Sequence, residues 1–193
     1  MPQFWVVAGP NGAGKTTVAD RWLAPRIPVV SPDSIAASHG LSPIQAGKAA
    51  VREADRLLAA GENFAIDTTL AGNRELTLMK RAADAGYKVN LIFISVRSLE
   101  LCQTRILERI DGGGHAVPPS DVARRYQRSL DHLAVAIDLA DRVFVLDNTG
   151  KKRRLLFSIE HGRVKHLSNR LPAWANAAIP SHLIRSRGHD FGR

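Results

Sequence analysis

Cysteine is almost missing from this chain: Cys102 is the only one in 193 residues. A single thiol excludes an internal disulfide and makes a reducing compartment the natural setting. Long apolar runs are missing too. No stretch approaches the ~18 residues needed to span a bilayer. Met1-Pro2-Gln3 leads straight into an apolar segment, with no room for a secretory leader. The expectation is a cytoplasmic protein with no membrane partner. Acidic residues are in the minority, 18 Asp and Glu against 27 Lys and Arg, a formal charge of +9. That excess points to acidic ligands: nucleotides, phosphorylated metabolites or nucleic acid. Aromatics are only 6% of the residues, and the stacking platforms of a single-strand binder are not evident. Nucleic acid is therefore open but not favoured. There is no internal repeat and no linker. Residues 1–185 are read as one domain and 186–193 as a disordered tail.

What the chain does have is concentrated near its start. Gly9-Pro10-Asn11-Gly12-Ala13-Gly14-Lys15-Thr16 fits G-x-x-x-x-G-K-[ST], the phosphate-binding P-loop. Phe4-Trp5-Val6-Val7-Ala8 before it reads as a buried strand, and Thr17 to Leu23 after it reads as the opening of a helix. Glycines allow the backbone to wrap around phosphate oxygens, because they lack Cβ and accept positive φ. Inward amide groups and a helix N-terminus favour the anion. The motif assigns Lys15 to the β- and γ-phosphates and the Thr16 hydroxyl to Mg²⁺, with Thr17 a reserve hydroxyl. The implied ligand is a nucleoside triphosphate, ATP or GTP.

Further along, short apolar strands alternate with helical segments, the pattern of a mainly parallel sheet with helices on both faces. The expected architecture is α/β: a kinase-like P-loop NTPase in a three-layer sandwich, with a mainly parallel five-stranded sheet, an arginine-bearing lid and a small C-terminal hairpin around His161-Gly162. Ligands gather at the carboxyl ends of such strands, and two carboxylates fall there. Asp33 follows Val29-Val30, where it either faces the site or caps the next helix. Asp67 ends Phe64-Ala65-Ile66 and is followed by Thr68-Thr69. It could hold Mg²⁺ in the manner of a Walker-B aspartate, or hold a substrate hydroxyl. Ser42-Pro43-Ile44-Gln45 is a capping box that opens a helix to about Ala60.

Arginines cluster in two later helices. Arg105 and Arg109 share a face of the first, and Arg124, Arg125 and Arg128 lie in the opening turns of the second, expected from Asp121 to about Ala140 with Ser120 as cap. A glycine-rich stretch with His115 joins them. This arrangement resembles a lid whose arginines close over phosphates.

Taken together, the GPNGAGKTT start, Ser31-Pro32-Asp33-Ser34, Ala65-Ile66-Asp67-Thr68-Thr69, Arg105-Ile106-Leu107-Glu108-Arg109, Gly113-Gly114-His115, Arg124-Arg125-Tyr126 and Leu146-Asp147-Asn148-Thr149 resemble the zeta-toxin family of P-loop kinases, over residues 3 to 150 in order. The resemblance implies ATP- or GTP-dependent phosphorylation of a UDP-amino sugar such as UDP-N-acetylglucosamine. It implies Asp33 as general base, Lys15 and Thr16 on phosphates and Mg²⁺, and Arg109 and Arg125 on the transferring phosphoryl group. Asp67 stands where family members often carry a glutamate that contacts substrate, and Thr68 and Thr69 accompany it. It also implies an antitoxin partner supplied in trans. Kinases of other metabolites or of polynucleotide ends, and a non-catalytic nucleotide switch, remain the alternatives.

Overall fold

A computed structural model of the chain describes residues 1–111 and 117–185. Its centre is β1 (Gln3–Ala8), which pairs in parallel with β3 (Phe64–Thr68) on one side and β4 (Lys88–Ser95) on the other. Two-residue β2 (Val29–Val30) flanks β3, and β5 (Arg142–Asp147) flanks β4, both parallel. Alternation explains the layering, because successive strand residues face opposite sides. Phe4, Val6 and Ala8 enter one core with Phe64 and Leu91, while Val7 enters a second with Ile92 and Ile94. Both faces of β1 are thus buried, which requires helices above and below. Phe4 lies opposite Phe64 in the register and stacks on it at a 4.6 Å centroid separation.

The five parallel strands follow the expectation. The C-terminal hairpin is not an appendage. Strands β6 (Arg154–Glu160) and β7 (Arg163–Leu167) continue the sheet antiparallel to β5, giving seven strands in the order β2-β3-β1-β4-β5-β6-β7. Leu156 and Phe157 are fully buried in the main core, so the hairpin hides its apolar face by covering the β5 edge.

The helices carry the differences from expectation. The P-loop helix is α1 (Lys15–Val18), and the chain then runs on as a π-helical turn over Ala19–Leu23. Next come α2 (Pro32–His39) and α3 (Pro43–Ala59), the latter with both hydrogen bonds of the Ser42–Gln45 capping box. After β3 stands α4 (Asn73–Asp84), and after β4 stands α5 (Leu99–Asp111). The long helix expected from Asp121 is two pieces, α6 (Pro119–Asp131) and α7 (Leu133–Asp138), separated at His132. The His132 ring meets the Leu70 carbonyl at 2.9 Å. Ser120 is not the cap of α6: Pro118 precedes it and no side chain caps it. The chain closes with α8 (Ala173–Ala178) and α9 (Ser181–Arg185). Residues 186–193, expected to be a disordered tail, and His115 lie outside the described residues. No helix among the described residues is long and apolar enough to cross a membrane.

Candidate active site

The parallel registers bring the functional segments to one end of the sheet. Ala8 is level with Thr68, and Val7 with Asp67, so the P-loop emerges beside the Asp67 carboxylate. Gly9 turns the chain at φ 139°, and a Cβ there would stand 1.9 Å from the Ile94 carbonyl oxygen. Only glycine fits against β4 at this point. Gly14, at φ 92°, opens α1, and a Cβ there would meet the Asn148 side chain at 2.6 Å.

Of the P-loop residues, Asn11, Gly12, Gly14, Lys15, Thr16 and Thr17 line a cleft of about 1030 Å³. Gly9, Pro10 and Ala13 are buried beneath it and shape the turn. Lys15 Nζ donates to the Pro10 carbonyl at 3.1 Å, so the lysine folds back over its own loop. Burial pushes the Lys15 ammonium below the usual lysine range, and the nearby Asp67 and Asp33 charges oppose that shift. Burial likewise pushes the Asp67 carboxyl up, opposed by Lys15 and by the hydrogen bond from Thr16. Thr16 Oγ1 donates to Asp67 Oδ2 at 2.9 Å. A threonine hydroxyl and a carboxylate beside a phosphate loop are hard oxygen donors, which suits Mg²⁺ shared with a nucleotide.

Asp33 is an exposed residue in the first turn of α2, and it lines the same cleft. The cap of α2 is Ser31, whose hydroxyl accepts from the Ser34 amide at 3.4 Å. This separates the two roles that the bare sequence offers Asp33, because the capping position is taken by its neighbour. Thr68 and Thr69 line the cleft as well. Thr68 Oγ1 also accepts from the Leu70 amide at 3.0 Å, fixing the turn after β3.

The far wall comes from α5 and α6, which share a small core of Cys102, Ile106 and Val122 with Val96. Tyr126 Oη pins α6 to the end of β4 by donating to the Val96 carbonyl at 3.1 Å. Arg105, Arg109 and Arg125 line the cleft; Arg124 and Arg128 do not. Arg105 Nη2 also donates to the Thr149 carbonyl at 3.4 Å. Arg125 lies 3.8 Å from Asp121, and Arg124 pairs with the same carboxylate at 2.8 Å.

Two parts of the site escape the motif reading. Asn148 Nδ2 donates to the Ala13 carbonyl at 2.8 Å across 135 residues of sequence, bracing the P-loop from the end of β5. The side of the cleft nearest α2 is walled by α3 and α4, including Gly47, Ala50, Ala54, Arg74, Glu75 and Arg81. A glycine inside a helical pattern and a glutamate in a helix's first turn were the signals in the sequence.

The AAA domain family model matches residues 4–133, the segment from β1 through the P-loop to the start of α7. The chain belongs to this family. As a P-loop domain it is a nucleotide-binding protein. It is 30% identical over 123 residues to an uncharacterized protein of Haemophilus influenzae, an alignment that covers 61% of this chain and 88% of that one. Solved structures with the same fold include the AvrRxo1-ORF1:-ORF2 complex with ATP, at a TM-score of 0.70 and 18% identity over 88% of this chain. The chain spans 61% of the length of that neighbour. The PezAT chromosomal toxin-antitoxin system of Streptococcus pneumoniae matches with a TM-score of 0.65 and 17% identity, over 93% of this chain and 78% of that one. The fold is therefore the α/β P-loop NTPase fold that these neighbours share.

Proposed function

We propose that this protein is an ATP- or GTP-dependent kinase that transfers the γ-phosphoryl group to a hydroxyl of a UDP-amino sugar such as UDP-N-acetylglucosamine. The observation that carries the reading is the enclosure of one cleft by three kinds of group. The P-loop with Lys15 forms its base, Asp33 and Asp67 one side, and Arg105, Arg109 and Arg125 the other. A protein that only binds nucleotide needs neither an exposed carboxylate beyond the phosphate loop nor three arginines opposite it.

In this reading Lys15 leaves the Pro10 carbonyl for the phosphates of the donor. Thr16 and Asp67 would hold Mg²⁺, which when bound neutralises phosphate charge. Asp33 accepts the proton of the acceptor hydroxyl as its oxygen attacks phosphorus. The new O–P bond forms as the bond to the β-phosphate oxygen breaks, and the nucleoside diphosphate leaves with that electron pair. The arginines of α5 and α6 meet the charge on the migrating group, so catalysis rests on positioning and electrostatics. Resemblance to the zeta toxins supports the nucleotide-sugar acceptor. The toxin–antitoxin neighbour supports, as a further part of the proposal, an antitoxin acting in trans.

The test is phosphoryl transfer from γ-labelled ATP with Mg²⁺ to UDP-N-acetylglucosamine, alongside other hydroxyl metabolites and short oligonucleotides. Asp33→Asn should lower transfer by about 10²–10⁴-fold, the range of a lost general base. Label moving to a different acceptor keeps the kinase and discards the nucleotide sugar. Nucleotide binding with no labelled product across the panel overturns the reading.

A further inference from the structure

The positive charge of the chain is concentrated at one place. Residues 151–170 hold seven Lys and Arg against one acid, Glu160, a net +6 out of the formal +9. Glu160 is committed to Arg142, and Arg154 reaches Asp147 at 3.4 Å. Lys151, Lys152, Arg163, Lys165 and Arg170 are exposed and form no ion pair among the described residues. None of these five lines the nucleotide cleft. Unpaired surface charge of one sign attracts polyanions.

Two features give this surface more than charge. The first is a shallow cavity of about 410 Å³ at the end of β7, lined by Arg154, His166, Ser168, Asn169 and Arg170 with Leu167. Each polar member carries a hydrogen-bond donor, and no acid lines the cavity. That donor set suits a phosphate group. The second is Trp22, 41% exposed in the π-helical turn after α1. The Arg153 guanidinium lies over its ring, 5.5 Å from the centroid, and Arg26 donates to its carbonyl at 2.6 Å. Arg153 Nη1 is shut off from solvent and has no hydrogen-bond partner among the described residues, so water does not dilute its attraction to the indole. The bare sequence shows no stacking platform because Trp22 and Arg153 are far apart in it; the fold joins them. That side of the sheet is thinly covered. Among the described residues, the helical members of its core come only from α1 and the turn after it, whereas α3, α4, α7 and α8 pack in the other core. There β5 and β6 carry part-buried Phe144 and Leu155.

We propose that this surface binds single-stranded nucleic acid. An unpaired base stacks on Trp22, and phosphates run over Lys151 and Lys152 to the Arg154–Arg170 cavity. Arg153 and Arg154, adjacent in the chain, tie the two seats together. A duplex offers the indole no unpaired base. A protein partner would call for an apolar centre, and Trp22 is the one large apolar side chain exposed here. The others, Met1, Ile44, Leu107 and Val135, lie on other parts of the fold. The surface is separate from the cleft, so the inference does not rest on the kinase reading.

The test is fluorescence anisotropy of labelled oligothymidylate and oligouridylate, with the oligo(dT)·oligo(dA) duplex and polyglutamate for comparison. The cleft is kept saturated with Mg²⁺ and a non-hydrolysable ATP analogue, and a cooperative thermal transition reports that each variant is folded. Both single strands are expected to bind at about 50 mM salt. Trp22→Ala should weaken that binding about tenfold, Trp22→Phe should restore most of it, and binding of the duplex should be insensitive to either change. With Lys151, Lys152, Arg154 and Arg170 each on a phosphate, log Kd should rise with log salt at a slope of about 3, and Arg170→Ala should lower that slope by about 0.7. Single-strand binding that Trp22→Ala leaves unchanged would reduce the surface to an unspecific cation patch and overturn the proposal. Polyglutamate bound as tightly as the single strands would make it a seat for acidic proteins instead. Absence of binding at about 50 mM salt, or binding only while the cleft is empty, overturns the proposal and leaves the kinase reading untouched.

Discussion

At the scale of single residues, the P-loop depends on atoms far from its motif. The Ala13 carbonyl has a partner in Asn148, and that hydrogen bond braces the loop from the end of β5. Removing a partly buried hydrogen bond costs about 1 kcal/mol. Asn148→Ala is therefore expected to weaken nucleotide affinity about fivefold, read by calorimetric titration. An unchanged Kd would show that the loop keeps its shape unaided. Cys102 offers a second prediction. Its side chain is fully buried beneath the P-loop, its carbonyl would stand 2.7 Å from a Cβ on Gly12, and burial pushes its thiol up to about 11. Because the thiolate is the reactive form, about one molecule in a thousand is ionised at pH 8. Alkylation by iodoacetamide at pH 8 should be negligible in the folded protein and rapid after denaturation. The native rate should climb as pH approaches 11. Rapid native labelling at pH 8 would contradict the burial.

At the scale of elements, the sequence was legible wherever structure is local. The P-loop, the Ser42–Gln45 capping box and the alternation of strand and helix are each written within a few residues, and each appears at its expected place. The π-helical turn after α1, the break at His132 and the joining of β6 to β5 depend on partners distant in sequence, so the residues alone did not announce them. The lid arginines illustrate the boundary. Periodicity put five of them on two helices, yet only the packing of α6 on Val96 decides which face turns inward. Arg125 lines the cleft, while neighbouring Arg124, paired with Asp121, does not. Arg125→Ala is expected to lower turnover about 10³-fold or more, as for a lost arginine finger, with ATP affinity changed far less. Arg124→Ala should leave both close to wild type, since an exposed ion pair contributes little. Steady-state kinetics on the two variants separates the faces, and equal losses would mean that α6 is rotated from the arrangement described.

At the scale of the whole molecule, the question is where the folding unit ends. The family match stops at residue 133, and the residues that resemble the zeta toxins stop near 150. Both boundaries fall before β6. Yet Leu156, Phe157, Ile159, Leu167, Trp174 and Ile179 belong to the same core cluster as Phe4 and Leu91 of the central strands. Trp174 lies 6.2 Å from Phe93, ring centre to ring centre, covering β4 from one face. At about 2 kcal/mol for each large apolar side chain, those six contribute roughly 12 kcal/mol of burial. That is comparable with the whole net stability of a typical domain, about 5–15 kcal/mol. A chain ending at Gly150 would also leave β5, with its buried Val143 and Val145, as an open edge strand, an invitation to aggregate. The P-loop, Asp33, Asp67 and the lid arginines would all be present and still have no stable scaffold. Residues 1–150 are therefore expected to give no cooperative thermal transition and to bind a hydrophobic dye, whereas residues 1–185 should unfold in one step and bind nucleotide. A cooperative, nucleotide-binding 1–150 fragment would show that the hairpin and α8 only decorate the domain. Its absence would mean that the stretch after Gly150, which carries none of the recognisable chemistry, is what keeps the phosphate loop in shape.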